Sequence, residues 1–316
     1  MRNLLAFLVI LGVFGVAGEA AAAHFTASKV SFQDITGEVK IVTTTGEDIE
    51  LTISQGDVYR SVSAKMEGDT LIVSGEKWRD FSNGDCCDRR IRRTENLARD
   101  RAAAPRELYD DEFFSDYPVI EISVPRKDDV SFTDARIKLS MEALDGRLTL
   151  DGCYVYGETS TLGQATLDII AGSRLAIGDV KSMLELDVSG KAAVTSGGAA
   201  MADVDIAGPG DVMIGPVDGI LDVSIAGSGR VRTGRLDGPL AVRIAGSGAV
   251  SVQGGRADKL VATVDGSGGI LLEGTAVAPV LRMYGSPVFR FRSVDGRLTR
   301  YGHGDVYIDG KLIPEK

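Results

Sequence analysis

Eight glycines recur through the second half of the sequence, at Gly172, Gly190, Gly208, Gly227, Gly246, Gly266, Gly285 and Gly302, at intervals of 18, 18, 19, 19, 20, 19 and 17 residues. The words around them repeat too. Ile206-Ala207-Gly208-Pro209-Gly210, Ile225-Ala226-Gly227-Ser228-Gly229 and Ile244-Ala245-Gly246-Ser247-Gly248 are near copies, and Val264-Asp265-Gly266-Ser267-Gly268 is a looser one. A fixed period near 19 marks a solenoid, in which no unit buries its apolar face alone and neighbours must stack. Within one unit Leu221, Val223 and Ile225 alternate with Asp222 and Ser224, the period-2 pattern of a half-buried strand. Residues 226–229 turn the chain, Val231 alternates with Arg230 and Arg232, and residues 234–238 close the unit. The next unit repeats this with Leu240, Val242, Ile244, Val250 and Val252. Helical repeats are excluded, because nothing after residue 160 keeps 3.6-residue spacing for a helix length without glycine or strict alternation. The expected fold is all-β: a right-handed parallel β-helix or β-solenoid with two-strand coils of about 19 residues. With coils ~4.8 Å apart, seven to eight of them make a rod of about 35 Å.

The period accounts for the composition. Of 39 glycines in 316 residues, 29 follow residue 150, where tight turns need positive φ. Upstream, alternating stretches at 30–32, 39–42, 49–53 and 71–73 are separated by Gly37, Gly46, Gly56 and Gly68, which predicts an irregular β part over residues 24–75. Residues 119–124 resume the alternation, and the word Asp-Gly-Arg-Leu-Thr at 145–149 returns at 295–299, so the solenoid, assigned to 118–316, begins before Gly172. Residues 76–117 differ. Seven arginines (89, 90, 92, 93, 99, 101 and 106) are followed by Glu107, Asp110, Asp111, Glu112 and Asp116. This reads as a polar, charged insertion loop, with one short helix at 94–104; it is either a docking loop for an acidic surface or a solvated loop whose halves neutralise each other.

Residues 1–23 combine Arg2, an apolar run from Leu4 to Val16 and the small-residue end Ala21-Ala22-Ala23. They read as a signal peptide cleaved between Ala23 and His24; the apolar run is short for a membrane anchor. No other stretch is apolar for a membrane-spanning length, so the mature chain is expected to be exported, periplasmic or extracellular, without a transmembrane segment. Export permits disulfides. The candidates are Cys86, Cys87 and Cys153, with pairing of Cys153 to one of the adjacent two favoured over the strained ring between neighbours.

The formal net charge of −10 disfavours nucleic acid as a partner. Two histidines, His24 and His303, exclude a multi-histidine metal centre, and no cofactor is expected. Gly-Ser-Gly turns can cradle phosphate, but here they recur in every coil with neither helix nor P-loop lysine behind them. Asp187, Asp203, Asp205 and Asp222 fall on outward positions of successive coils, where paired carboxylates could serve sugar cleavage or simply keep a sheet face solvated. Tyr284, Phe289, Phe291, Tyr301, His303 and Tyr307 form a terminal aromatic set, either a ligand groove around His303 or a cap over the last coil.

The exported N-terminus, the Gly37/Val39 strand-turn word, the Pro-Val-Ile-Glu-Ile-Ser-Val-Pro segment at 118–125 and the tandem Ile-Ala-Gly-Ser-Gly units together resemble the head GIN domain family of auto-transporter adhesins. The resemblance covers roughly residues 28–310, the insertion excepted. It implies an exported β-helical, passenger-like module without assigned catalytic residues. The expected partner is an unidentified envelope protein or polysaccharide. The chain departs from the family's name in ending Pro314-Glu315-Lys316 without translocator-barrel strands. The expected function is therefore a non-catalytic interaction module of the bacterial cell envelope. The alternatives are a β-helix enzyme acting on an acidic polysaccharide, and an envelope-stress component that binds a membrane partner.

Overall fold

The computed structural model describes residues 22–56, 62–75, 114–115, 117–170 and 172–314. Within them the chain is all-β, without helix, and forms a solenoid of about nine turns with a ~19-residue period. Residues 1–21 of the expected signal peptide, most of the 76–117 insertion with its predicted helix, Cys86 and Cys87 lie outside the described residues.

Two parallel ladders run the length of the solenoid. The first stacks Leu162–Ile170, Val180–Ser189, Ala199–Ala207 and Leu221–Gly227, and continues through one half of Arg230–Gly246 and of Ala249–Gly266 to Val280–Gly285 and Thr299–Gly302. The second stacks Arg174–Ile177, Ala193–Ser196 and Asp211–Ile214, and ends at Val288–Asp295 and Asp305–Ile308. Register holds like residues in line. Ile206, Ile225 and Ile244 form one buried column, and Val212, Val231 and Val250 form another. The outward residues alternate with these, as the sequence period requires.

A third, short side joins the two. It shows as bridges from Ala199 to Val217 and Val217 to Leu236, and as a full ladder from Arg235 through Gly238 against Gly254 through Ala257. Only one or two residues per coil point inward there, too few to leave an alternating pattern. Polar residues that turn inward bond to the backbone of the preceding coil: Thr233 Oγ1 donates to Gly215 O at 2.9 Å and Ser196 Oγ to Gly178 O at 3.4 Å.

The N-terminal part belongs to the same solenoid, and its coils are not stacked in chain order. Lys29–Gln33 and Thr36–Thr44 form a coil lying directly on Asp129–Met141. Thr70–Ser74 and Val119–Pro125 form the coil beyond it, on its other edge. The 76–117 insertion therefore leaves from the outermost coil. Antiparallel strands finish this end: Ile49–Ser54 on Val119–Pro125, Ala23–Phe25 on Ile49–Ser54, and Ser63–Glu67 on Thr70–Ser74. They occupy edges that would otherwise offer unpaired backbone. The proposed cleavage point falls at the first residue of Ala23–Phe25; cutting there leaves the His24–Glu50 and Phe25–Ile49 rungs in place.

The far end is closed differently. Arg300 stands in the inward column below Leu281, and its guanidinium donates to Gly304 O at 2.8 Å and Ile313 O at 3.0 Å. Asp305–Ile308 turns back on Lys311–Leu312 as an antiparallel pair. Phe289 and Phe291 are buried in the last core layer, their ring centroids 6.4 Å apart.

Candidate functional site

The eight periodic glycines all have positive φ, from 82° at Gly190 to 128° at Gly227 and Gly266. They sit at the corner after the first ladder, where each coil must turn sharply toward the second. They are scaffold, and what they position is the outer surface of the first ladder.

On that surface the register brings carboxylates into two neighbouring columns. Asp151, Asp168, Asp187 and Asp205 are in line on four successive coils. Glu185, Asp203 and Asp222 are in line beside them. Coil spacing sets about 4.8 Å between rungs. Of these seven, Asp187, Asp203, Asp205 and Asp222 follow from strand alternation in the sequence. Asp151, Asp168 and Glu185 do not stand out there, although the 17–19-residue offset that joins them to the others is a signal that could have found them. Arg243 Nη1 lies 3.0 Å from Asp222 and Thr166 donates to Glu185 at 3.3 Å. The Asp203 carboxyl is pushed above the ordinary carboxylate range, first by burial and then by its neighbours Asp222, Asp205, Glu185 and Asp187.

The same columns change character toward the C-terminal end. Below Asp205 come Ser224, Arg243, Thr263, Arg282 and Tyr301. Arg282 lies 5.8 Å from the centroid of the Tyr301 ring, within cation–π range. Tyr284 and Tyr301 are each 56% exposed. On the second ladder Arg290 covers Tyr307 at 5.2 Å, and an open depression of about 450 Å³ is lined by Glu273, Arg290, Phe291, Arg292, Tyr307 and Asp309. The terminal aromatic set thus divides: Phe289 and Phe291 close the core, while Tyr284 and Tyr301 face outward.

Among the described residues no three His, Cys, Asp or Glu side chains are grouped to hold a metal ion, and no helix is long and apolar enough to cross a membrane. His24 and His303 lie at opposite ends of the solenoid, so they share no site. Cys153 is disulfide-bonded and 2% exposed. Comparisons of the chain with protein-family models, with curated proteins and with solved structures gave no match.

Proposed function

We propose that this chain is an exported, non-catalytic interaction module of the bacterial cell envelope, of the head GIN type, which binds an extended saccharide along the outer surface of its first ladder. The observation that carries the reading is the pair Tyr284 and Tyr301, outward on adjacent coils with Arg282 over the second ring. Exposed aromatic faces next to a guanidinium offer an apolar platform and charge-assisted donors to an anionic sugar. A repeating surface with one rung per coil also matches a ligand that itself repeats. Binding of the purified protein to a panel of envelope polysaccharides tests this; Tyr284→Ala with Tyr301→Ala is expected to weaken binding at least about tenfold, as loss of aromatic anchors does. Unchanged affinity would remove the platform from the proposal. Cell fractionation with N-terminal sequencing tests export, with His24 expected as the first residue.

A second reading, hydrolysis of an acidic polysaccharide, draws support from Asp203. A carboxyl pushed upward by burial and set beside other carboxylates is the kind of pairing that general acid–base cleavage uses. Reducing-end release that Asp203→Asn abolishes would establish it.

A further inference from the structure

Outward positions of a solenoid face are normally wet, yet part of the first ladder is covered. Ile170 and Cys153 are 3% and 2% exposed although neither packs in the contiguous hydrophobic cluster that fills the solenoid. Ile170 points to the same side as Asp168, two residues before it, and one Asp168 carboxylate oxygen is shut off from water. Further along the same column, Ala207 and Ala226 are exposed. The cover is therefore local to the coils that carry Asp151 and Asp168, the first two rungs of the column that continues to Asp187, and each of these three aspartates has an interaction partner.

We propose that the acidic ladder Asp151–Asp168–Asp187 is the docking surface for this chain's own arginine-rich segment, residues 89–106. Three observations converge on that occupant. The first is covalent. Cys153 is disulfide-bonded, and the only other cysteines of the chain are Cys86 and Cys87. In sequence the arginine run starts two or three residues after this cysteine pair, and Cys153 is itself two residues from Asp151. The second is topological. The insertion leaves the outermost coil, from Thr70–Ser74 and Val119–Pro125. The strand that holds Cys153 lies three coils inward, about 14 Å away. From the Cys153 strand, Asp168 and Asp187 continue in the same direction along the solenoid axis. The ladder from Asp151 to Asp187 spans two coil steps, about 10 Å, which a few extended residues cover. The third is charge. Seven arginines in 18 residues meet a face on which carboxylates stack on successive rungs, and each guanidinium can bond a carboxylate in two-pronged fashion. The docking is a property of the scaffold and is independent of the ligand proposed above.

Limited trypsin digestion of the oxidised full chain at low salt, with cleavage after residues 89–106 followed by mass spectrometry, tests this. The triple variant Asp151→Asn, Asp168→Asn, Asp187→Asn is expected to be cut about tenfold faster than the wild type, because cleavage tracks the undocked fraction. The difference should shrink at about 1 M salt. Equal rates at low salt overturn the proposal. A second measurement leaves the ladder untouched. In Arg92→Lys with Arg93→Lys, a zero-length carbodiimide is expected to join residue 92 or 93 to Asp151, Asp168 or Asp187 within one chain. Crosslinks only between chains assign the surface to a second copy, and crosslinks elsewhere or nowhere assign it to another partner; either result overturns the proposal.

Discussion

The Gly-Ser-Gly corner uses its two glycines for different reasons. At Gly246, φ is 124°, and a Cβ would lie 2.5 Å from the carbonyl oxygen of Gly227 in the coil below. At Gly248, a Cβ would meet Cγ2 of Ile225 at 2.6 Å, so this glycine makes room for the isoleucine column. Gly246→Ala is therefore expected to lower unfolding free energy by about 2 kcal/mol or more in urea titration, from backbone strain with displacement of the neighbouring coil. Gly254 is the control. It has open space where a Cβ would go and no left-handed φ, so Gly254→Ala should change stability by less than about 0.5 kcal/mol. Ala278 is the converse case, a non-glycine held at φ 41°. Ala278→Gly should be neutral or stabilising by up to about 1 kcal/mol, since left-handed backbone costs an L-residue that much or more.

Among the elements, the decisive contact is one that sequence order hides. Phe32 and Phe132 stack with centroids 4.5 Å apart and planes 9° apart, both fully buried, across the junction where the coil Lys29–Thr44 region meets Asp129–Met141. Phe32→Ala should cost about 3–5 kcal/mol in chemical denaturation, with a transition that remains a single step if the N-terminal coils and the repeat array unfold together. Alternation at residues 30–32 made Phe32 legible as an inward residue, but nothing in the local pattern says that residues 29–44 stack on 129–141 with residues 70–74 and 119–125 placed beyond them. Stacking order is a long-range property, and where the word around the turns is not repeated, as before residue 145, the sequence carries no register mark. The glycine-marked coils lay open to reading because identical words must align for Ile206, Ile225 and Ile244 to share one column. The third side escaped because Val217 and Leu236 are single inward residues between turns. The acidic face was half visible: outward aspartates follow from period 2, whereas their assembly into adjacent columns depends on coil offsets of 17 to 19 residues that vary from turn to turn.

At the largest scale, the charge of residues 142–312 is polarised along the solenoid axis. Residues 142–222 carry thirteen acidic and four basic side chains, and residues 230–312 carry seven acidic and twelve basic. Stacking at a ~4.8 Å repeat multiplies any outward residue into a column, so like charges accumulate where a coil word is copied. The acidic stretch must then work against its own repulsion, and Asp203 reports it, because burial and the carboxylates around it raise its proton affinity in the folded state. The consequence for stability has a definite sign. Below the unfolded aspartate range both states hold the proton and nothing is lost. As pH rises, the unfolded chain releases its proton first, so the folded state binds more protons and stability falls until the raised folded value is passed. Asp203→Asn removes this penalty. It should raise Tm at pH 7, and the gain should disappear at pH 3, where the wild-type carboxyl is protonated in both states. A gain of equal size at both pH values would trace the effect to packing or hydrogen bonding. A loss at pH 7 would mean that the Asp203 charge is satisfied by a partner, which would place the self-repulsion of the acidic face elsewhere among its columns.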